Sequence, residues 1–283
     1  MALVADTAVG LEDLEIELLL EGMARRYGSD LRGYSRGALK HRVLVALEGE
    51  GLASISALQE RVLRDTPAMT RLLHALTMNV HGMFRDPRFY LALRRRIVPM
   101  LRTYPFVRIW LAGCSTGEEV YSTAIVLAEE GIASRVRLYA TDTSETVLAR
   151  AKAGAYPAEA LGRYGQLYLE AGGRRSLTDY VVLDGEGDDE VMRVASALRE
   201  NVVFGQHDLA TDRSFNEFNL ILCRNVMIHF GAPLRCRVHA LLDDSLARLG
   251  VLGLGAHETL RGSGFEQRYE VLDDDARLFR RLA

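Results

Sequence analysis

The stretch that most constrains the fold is Val107–Tyr121, VRIWLAGCSTGEEVY. An apolar run with β-branched and aromatic residues, Val107-Arg108-Ile109-Trp110-Leu111, gives way to the small residues Ala112-Gly113-Cys114-Ser115-Thr116-Gly117. Val120, Ala124, Ile125, Leu127 and Ala128 then keep helical spacing up to Gly131. A buried strand, a small-residue turn and a helix make the first unit of a nucleotide-binding α/β sheet. Two glycines in a turn can serve helix packing alone, so the informative feature is Glu118-Glu119 at the helix start. A phosphate site would place bare N–H groups and a Lys there, because phosphate is an anion. Two carboxylates repel it, and suit a ligand that offers amino or hydroxyl donors.

The remainder of the chain supports that frame. Residues 11–104 read as helices: Leu11, Leu14, Leu18, Leu19 and Met23 keep helical spacing, as do Leu39, Val43, Leu44 and Leu47. Thr66-Pro67 and Asp86-Pro87 each put a capping side chain before a proline at the first helical position. No strand signal precedes Val107, so an all-α domain is expected over 1–104 and an α/β domain over 105–283. In the latter, strands over Arg137–Asp142, Asn219–Asn225 and Val251–Ala256 alternate with helices over Ser144–Gly154 and Pro233–Leu249. Tyr269–Leu272 and Arg277–Leu282 form a closing hairpin. Such alternation predicts a parallel sheet with helices on both faces and a ligand at the carboxyl ends of the strands. A second hairpin pattern, Tyr180–Val194 with the acidic tip DGEGDDE, interrupts it and marks a small β-rich insertion over about 164–204.

Charge and cysteine usage exclude several classes. A net charge of −3 does not fit a nucleic-acid binder driven by bulk charge. Cys114, Cys223 and Cys236 have no metal-ligand spacing, so no metal is expected, and the two at strand ends read as buried thiols in a reducing compartment. The start MALVADTAVGLEDLE lacks the basic and apolar regions of a signal peptide, and no run approaches the ~20 apolar residues of a membrane helix. A cytoplasmic protein without membrane insertion is expected. Between Gly22 and Leu47, Arg25, Arg26, Arg32, Arg36, Lys40 and Arg42 face one acid, Asp30. This is either a solvated face or a patch for an acidic protein partner.

Three strands end in polar groups that a doubly wound sheet would bring together: Glu118 after the first, Asp142 closing the second, and Asn225 after Asn219–Cys223. An acid closing the second strand is the usual partner of ribose hydroxyls. Asp208 follows Val202–Phe204, where it either meets an adenine edge or caps its own turn. A dinucleotide enzyme would share Asp142 but would show G-x-G-x-x-G, which Gly113–Val120 does not.

CSTGEEVYS, ATDTSETVLARAKAGAYP and LILCRNVMIHF, preceded by TMNVHGMFRD, resemble the CheR family of chemotaxis receptor methyltransferases from about Ala75 to the C-terminus. The resemblance implies a Rossmann-like class I methyltransferase domain, α/β in class, with an N-terminal all-α domain and a small β-subdomain insertion. It implies S-adenosylmethionine as methyl donor, S-adenosylhomocysteine as product, and glutamate side chains of an acidic helical chemoreceptor as acceptors; a monomer is expected. Carried over by position, the cofactor contacts are Asn79, His81, Arg85, Glu118, Asp142, Asp208, Leu209, Asn225 and Val226, with Arg85 and His229 as catalytic candidates. His81 stands where the family has Thr, Met83 where it has Phe, Asp208 where Asn is frequent, and His229 where a Tyr is expected near the sulfonium.

The chemistry agrees with this inventory. A glutamate side chain, with a pKa near ~4.3, is already ionised at neutral pH and needs no general base. The protein must mainly align two oppositely charged reactants. Arg85 is expected to orient the substrate carboxylate or the cofactor, or else to pair with Asp86 or Glu118. His81 and His229 could equally be ordinary helix and strand-end residues. The histidine departures keep a second class open, a cofactor-binding regulatory protein without efficient catalysis. A third reading keeps the enzyme but gives it a non-receptor acceptor.

Overall fold

A computed structural model describes residues 10–27, 31–32, 34, 36–77, 82–185 and 190–282. The chain divides into two compact units, one of residues 1–79 with 229–234 and one of residues 80–228 with 235–283. The expected boundary at 104 therefore falls inside the second unit.

In the first unit α1 (Leu11–Tyr27), α2 (Arg36–Gly49), α3 (Ile55–Arg64) and α4 (Thr66–Thr77) surround one apolar core. Ser54 caps α3 by accepting the Ala57 N–H at 3.1 Å. The buried face of α1 is Ile16, Leu19, Leu20 and Met23, whereas Leu11, Leu14 and Leu18 stay exposed. Leucines lie on more than one stripe of this helix, and packing against Leu58 and Val62 selects among them. Part of the basic run is paired with acids of α1: Arg25 and Arg32 meet Glu21 at 2.5 and 2.7 Å, and Lys40 meets Glu12 at 2.7 Å. Arg42 donates to the Leu76 carbonyl at the end of α4.

The second unit carries a seven-stranded sheet. Its strands are β1 (Val107–Ala112), β2 (Val136–Asp142), β6 (Val202–Gln206), β7 (Phe218–Cys223), β8 (Leu246–Leu254), β9 (Tyr269–Asp273) and β10 (Leu278–Arg281). Their order is β6-β2-β1-β7-β8-β10-β9. All pairings are parallel except those of β10, which runs antiparallel to both β8 and β9. The expected closing hairpin is therefore present, with β10 inserted beside β8. Strand order reverses between β1 and β7, and in open α/β sheets such a switch point is where ligands bind.

Helices α7 (Glu118–Glu129), α8 (Glu145–Ala153) and α11 (Ala232–Ser245) connect these strands. Ser144 caps α8, and Gly154 ends it with a positive φ, the punctuation that the sequence shows. One helical rod precedes β1: α5 (Pro87–Ala92), a π turn over Leu93–Ile97, and α6 (Val98–Leu101). Its Phe89, Tyr90, Leu93, Ile97 and Val98 share the core of the sheet. This is the physical reason that the rod belongs to the sheet unit. Asp86 precedes Pro87 without capping the rod; its carboxylate bonds Arg224 instead.

The insertion is a three-stranded antiparallel sheet, β3 (Ala155–Pro157), β5 (Val191–Val194) and β4 (Val181–Asp184) in spatial order, with α9 (Leu161–Glu170) and α10 (Ser196–Arg199). It opens at 155, earlier than expected, and Val202–Phe204 belongs to the main sheet. The hairpin tip at 186–189 lies outside the described residues. A buried ionic cluster anchors this insertion. Arg94 of the π turn meets Glu129 and Glu130, Glu129 accepts from the Tyr168 and Tyr180 hydroxyls, and Arg174 meets Glu130 at 2.9 Å.

Candidate functional site

The loop after β1 is shaped by contacts that only small residues permit. Gly113 has φ +72°, and a Cβ there would lie 2.6 Å from Cγ2 of Val226. Gly117 has φ +92°, and its Cβ would approach both Ala151 and the Tyr156 hydroxyl within 3.1 Å. Ser115 also has positive φ. The backbone thus takes a left-handed path that ordinary side chains resist. The Tyr156 hydroxyl locks the turn by donating to the Thr116 carbonyl at 2.9 Å.

Asp142, at the end of β2, completes this loop. Its Oδ2 accepts the Ser115 N–H at 2.9 Å and its Oδ1 the Ser144 N–H at 3.2 Å. Burial pushes its carboxyl up, and the N–H groups of Ser115, Ser144 and Thr143 pull it back. Glu118 is buried in the first turn of α7 and accepts the Thr116 hydroxyl at 2.7 Å. Burial raises its pKa too, with the Thr116 hydrogen bond working against the rise. Each of these acids keeps acceptor capacity beyond the hydrogen bonds it makes.

The third strand end is held by a residue that sequence reasoning missed. The Glu258 carboxylate is buried and takes five backbone N–H groups. Its Oε2 accepts from Asn225 at 2.8 Å and Gly255 at 2.6 Å, and its Oε1 from Val226, Met227 and Ile228 at 2.9, 2.7 and 3.2 Å. Asn225 stands at φ +60°. A Cβ on Gly255 would come within 2.7 Å of both the Asn225 nitrogen and Glu258 Oε2, so this approach also requires glycine. Burial pushes the Glu258 carboxyl up, while the surrounding N–H groups oppose it. The available signal was an acid three residues past Gly255 at the end of an apolar strand. Its meaning depends on β7 and β8 being neighbours.

Arg85 sits between two left-handed residues, Phe84 at φ 57° and Asp86 at φ 58°. Phe84 is fully buried, edge-on to Tyr90 and Tyr168, and its N–H donates to the Ser122 hydroxyl, which donates to the Glu118 carbonyl. Asp86 is held by Arg224 at 2.8 Å; Arg224 also meets Glu119 at 3.2 Å and stacks 3.8 Å from the Phe89 ring centroid. Two non-glycine residues in this conformation cost about 1–2 kcal/mol each, which the burial and ion pairs around them offset. Such strain concentrates at functional sites. Glu119 belongs to this network around the buried Arg224, with desolvation raising its pKa and Arg224 lowering it.

Oδ1 of Asp208 accepts the Ala210 N–H at 2.8 Å, the turn-capping geometry, and Leu209 beside it is buried. They follow β6, whose Gln206 pairs in register with Asp142. Val226 packs onto Gly113, and Asn225 is buried at the β7 end. Asn79, His81 and the side chain of His229 lie outside the described residues. Cys114 and Cys223 are buried free thiols, with burial the first cause of pKa values well above the ordinary range. No group of His, Cys, Asp and Glu among the described residues could hold a metal, and none of their helices is long and apolar enough to cross a membrane.

The donor set fits S-adenosylmethionine. Half-buried Asp142 and buried Glu118, both with acceptor capacity to spare, suit ribose hydroxyls and an amino group, and neither suits a phosphate. A glycine turn at the first strand gives such a ligand close access to backbone.

Comparison with known proteins agrees. The model of the CheR methyltransferase SAM binding domain matches residues 79–277, and that of the CheR methyltransferase all-alpha domain matches residues 14–77. Cher3 of Pseudomonas putida is 44% identical over 269 residues, covering 95% of this chain and 97% of its own. The chemotaxis protein methyltransferase of Listeria innocua is 29% identical over 254 residues, covering 88% and 92%. Chemotaxis protein methyltransferase 1 of Pseudomonas aeruginosa is 29% identical over 257 residues, covering 87% and 90%. With its all-alpha domain followed by a SAM-binding domain, the chain belongs to the CheR family of S-adenosylmethionine-dependent methyltransferases.

Proposed function

We propose that this protein transfers a methyl group from S-adenosylmethionine to glutamate side chains of an acidic helical, methyl-accepting chemoreceptor, giving glutamyl methyl esters. The observation that carries the reading is the placement of Arg85 between the left-handed residues Phe84 and Asp86, on a segment that Ser122 ties to the first turn of α7, where Glu118 stands. When bound, the cofactor supplies a methyl group on a positively charged sulfur. Asp142 accepts from its ribose hydroxyls, Glu118 from its amino or hydroxyl donors, and Asp208 with Leu209 flank the base. Asn225 and Val226, held by Glu258, close the opposite side. Arg85 then orients the acceptor carboxylate or the donor's tail; no residue has to remove a proton, since the acceptor is already ionised. The names of the relatives, chemotaxis protein methyltransferases, support this choice of acceptor. The reading is tested by following label from the methyl donor onto a cytoplasmic fragment of a methyl-accepting receptor. Tight cofactor binding with no label on the fragment would favour a regulatory protein instead.

Two outcomes follow for the cofactor side. Burial raises the carboxyls of Glu118 and Asp142, and the bound ligand's donors require both ionised. Affinity for S-adenosylhomocysteine is therefore complete above those raised values and is lost as pH falls through them. The loss begins at a higher pH than ordinary carboxylates would give, as calorimetric titration across mildly acidic pH will show. Next, Gly113→Ala adds a methyl group at φ +72° and against Val226. It is expected to weaken S-adenosylhomocysteine about tenfold, and adding Val226→Ala should restore part of the loss, a non-additivity that the double-mutant cycle measures.

A further inference from the structure

The insertion places a cation beside the segment that carries Arg85. In the first turn of α9, Tyr164 is buried and Arg163 is exposed, with the guanidinium carbon 5.2 Å from the Tyr164 ring centroid. A Cβ on Gly82 would lie 3.2 Å from Tyr164 Cε1 and 3.5 Å from Arg163 Nη2. The guanidinium therefore sits against the backbone three positions before Arg85, and the missing side chain of Gly82 is what lets α9 approach. Tyr164 also feels the charge of Glu118, and Tyr156 at the start of the insertion is bonded to Thr116. The insertion thus packs against both the segment that carries Arg85 and the loop after β1.

Arg163 makes no ion pair with a carboxylate among the described residues, although Glu159 lies one helical turn before it. Contact with the Tyr164 ring and a side-chain hydrogen bond to Tyr164 hold the guanidinium on an exposed residue, and its planar fork is matched to carboxylates. Its exposure contrasts with buried Glu118 and half-buried Asp142, which have the chemistry for the donor. We infer that Arg163 is a specificity residue on the acceptor side, which receives a carboxylate of the acidic acceptor peptide beside the Gly82–Arg85 segment. This rests on the reading that the acceptor is an acidic polypeptide.

Steady-state kinetics with a receptor cytoplasmic fragment, alongside calorimetric titration of S-adenosylhomocysteine, separate the possibilities. Arg163→Ala is expected to raise the KM for the fragment about fivefold and Arg163→Glu by about tenfold or more, with kcat and S-adenosylhomocysteine affinity unchanged. Arg163→Lys should recover part of the effect, and the difference between wild type and Arg163→Ala should shrink as salt is raised. An unaltered KM in Arg163→Glu would overturn the inference while leaving the function proposed above intact. Weakened S-adenosylhomocysteine binding by the same factor would also overturn it, assigning Arg163 to the donor's own carboxylate. Failure of the wild type to methylate the fragment would remove the underlying reading and this inference together.

Discussion

Glu258→Gln is expected to weaken S-adenosylhomocysteine binding by about 2 kcal/mol, about 30-fold in affinity, while the protein still folds. The amide keeps the shape of the carboxylate but turns one acceptor into a donor. Whichever way the amide is oriented, its nitrogen faces N–H groups of Asn225 and Gly255, or those of Val226, Met227 and Ile228. Buried donors without an acceptor cost about 1–3 kcal/mol each. The cheapest relief is for the 225–228 turn to move, taking Asn225 and Val226 away from Gly113. Glu258→Asp withdraws the carboxylate by one methylene and should show a smaller loss in the same direction. A folded Glu258→Gln protein with wild-type affinity would mean that the turn does not shape the cofactor site.

Arg85→Ala is expected to leave the fold intact and lower methyl transfer by about 100-fold or more, the scale on which a positioned charged donor acts in a transition state. The residues that hold the local conformation, Phe84 in the core and Asp86 on Arg224, remain in place. Circular dichroism and the melting temperature should therefore be close to wild type. Arg85→Lys tests whether charge alone suffices, since a planar guanidinium and a point charge differ in geometry. An active, folded Arg85→Ala protein would remove Arg85 from the chemistry.

Local pattern carried most of the fold. The β1–turn–α7 unit, the Ser144 cap, the Gly154 stop and the closing hairpin are each written in a few adjacent residues, and all appear where expected. Phase and partnership were less legible. Leu11, Leu14 and Leu18 have helical spacing, but packing turned Ile16, Leu19 and Leu20 inward. The basic run of 22–47 looked unbalanced because its counter-ions, Glu12, Asp13 and Glu21, precede it on α1. Asp86 followed the cap-before-proline pattern, yet a buried Arg224 distant in sequence claimed its carboxylate. Glu258 illustrates the limit best. Five N–H groups converge on it only because β8 ends beside β7, and no local spacing encodes that. Of the candidate cofactor residues, Glu118, Asp142 and Val226 meet at the loop after β1, and Asp208, two residues past the Gln206 that pairs with Asp142, also accepts the Ala210 N–H.

The most direct test of the proposed chemistry is the alkali lability of the transferred label. After incubation with methyl-labelled S-adenosylmethionine and a receptor cytoplasmic fragment, the labelled fragment is treated with base and the volatile product is collected. Glutamyl methyl esters predict release of the label as methanol, and its disappearance when the acceptor glutamates are changed to alanine. Label that stays on the fragment through base treatment would contradict carboxylate methylation.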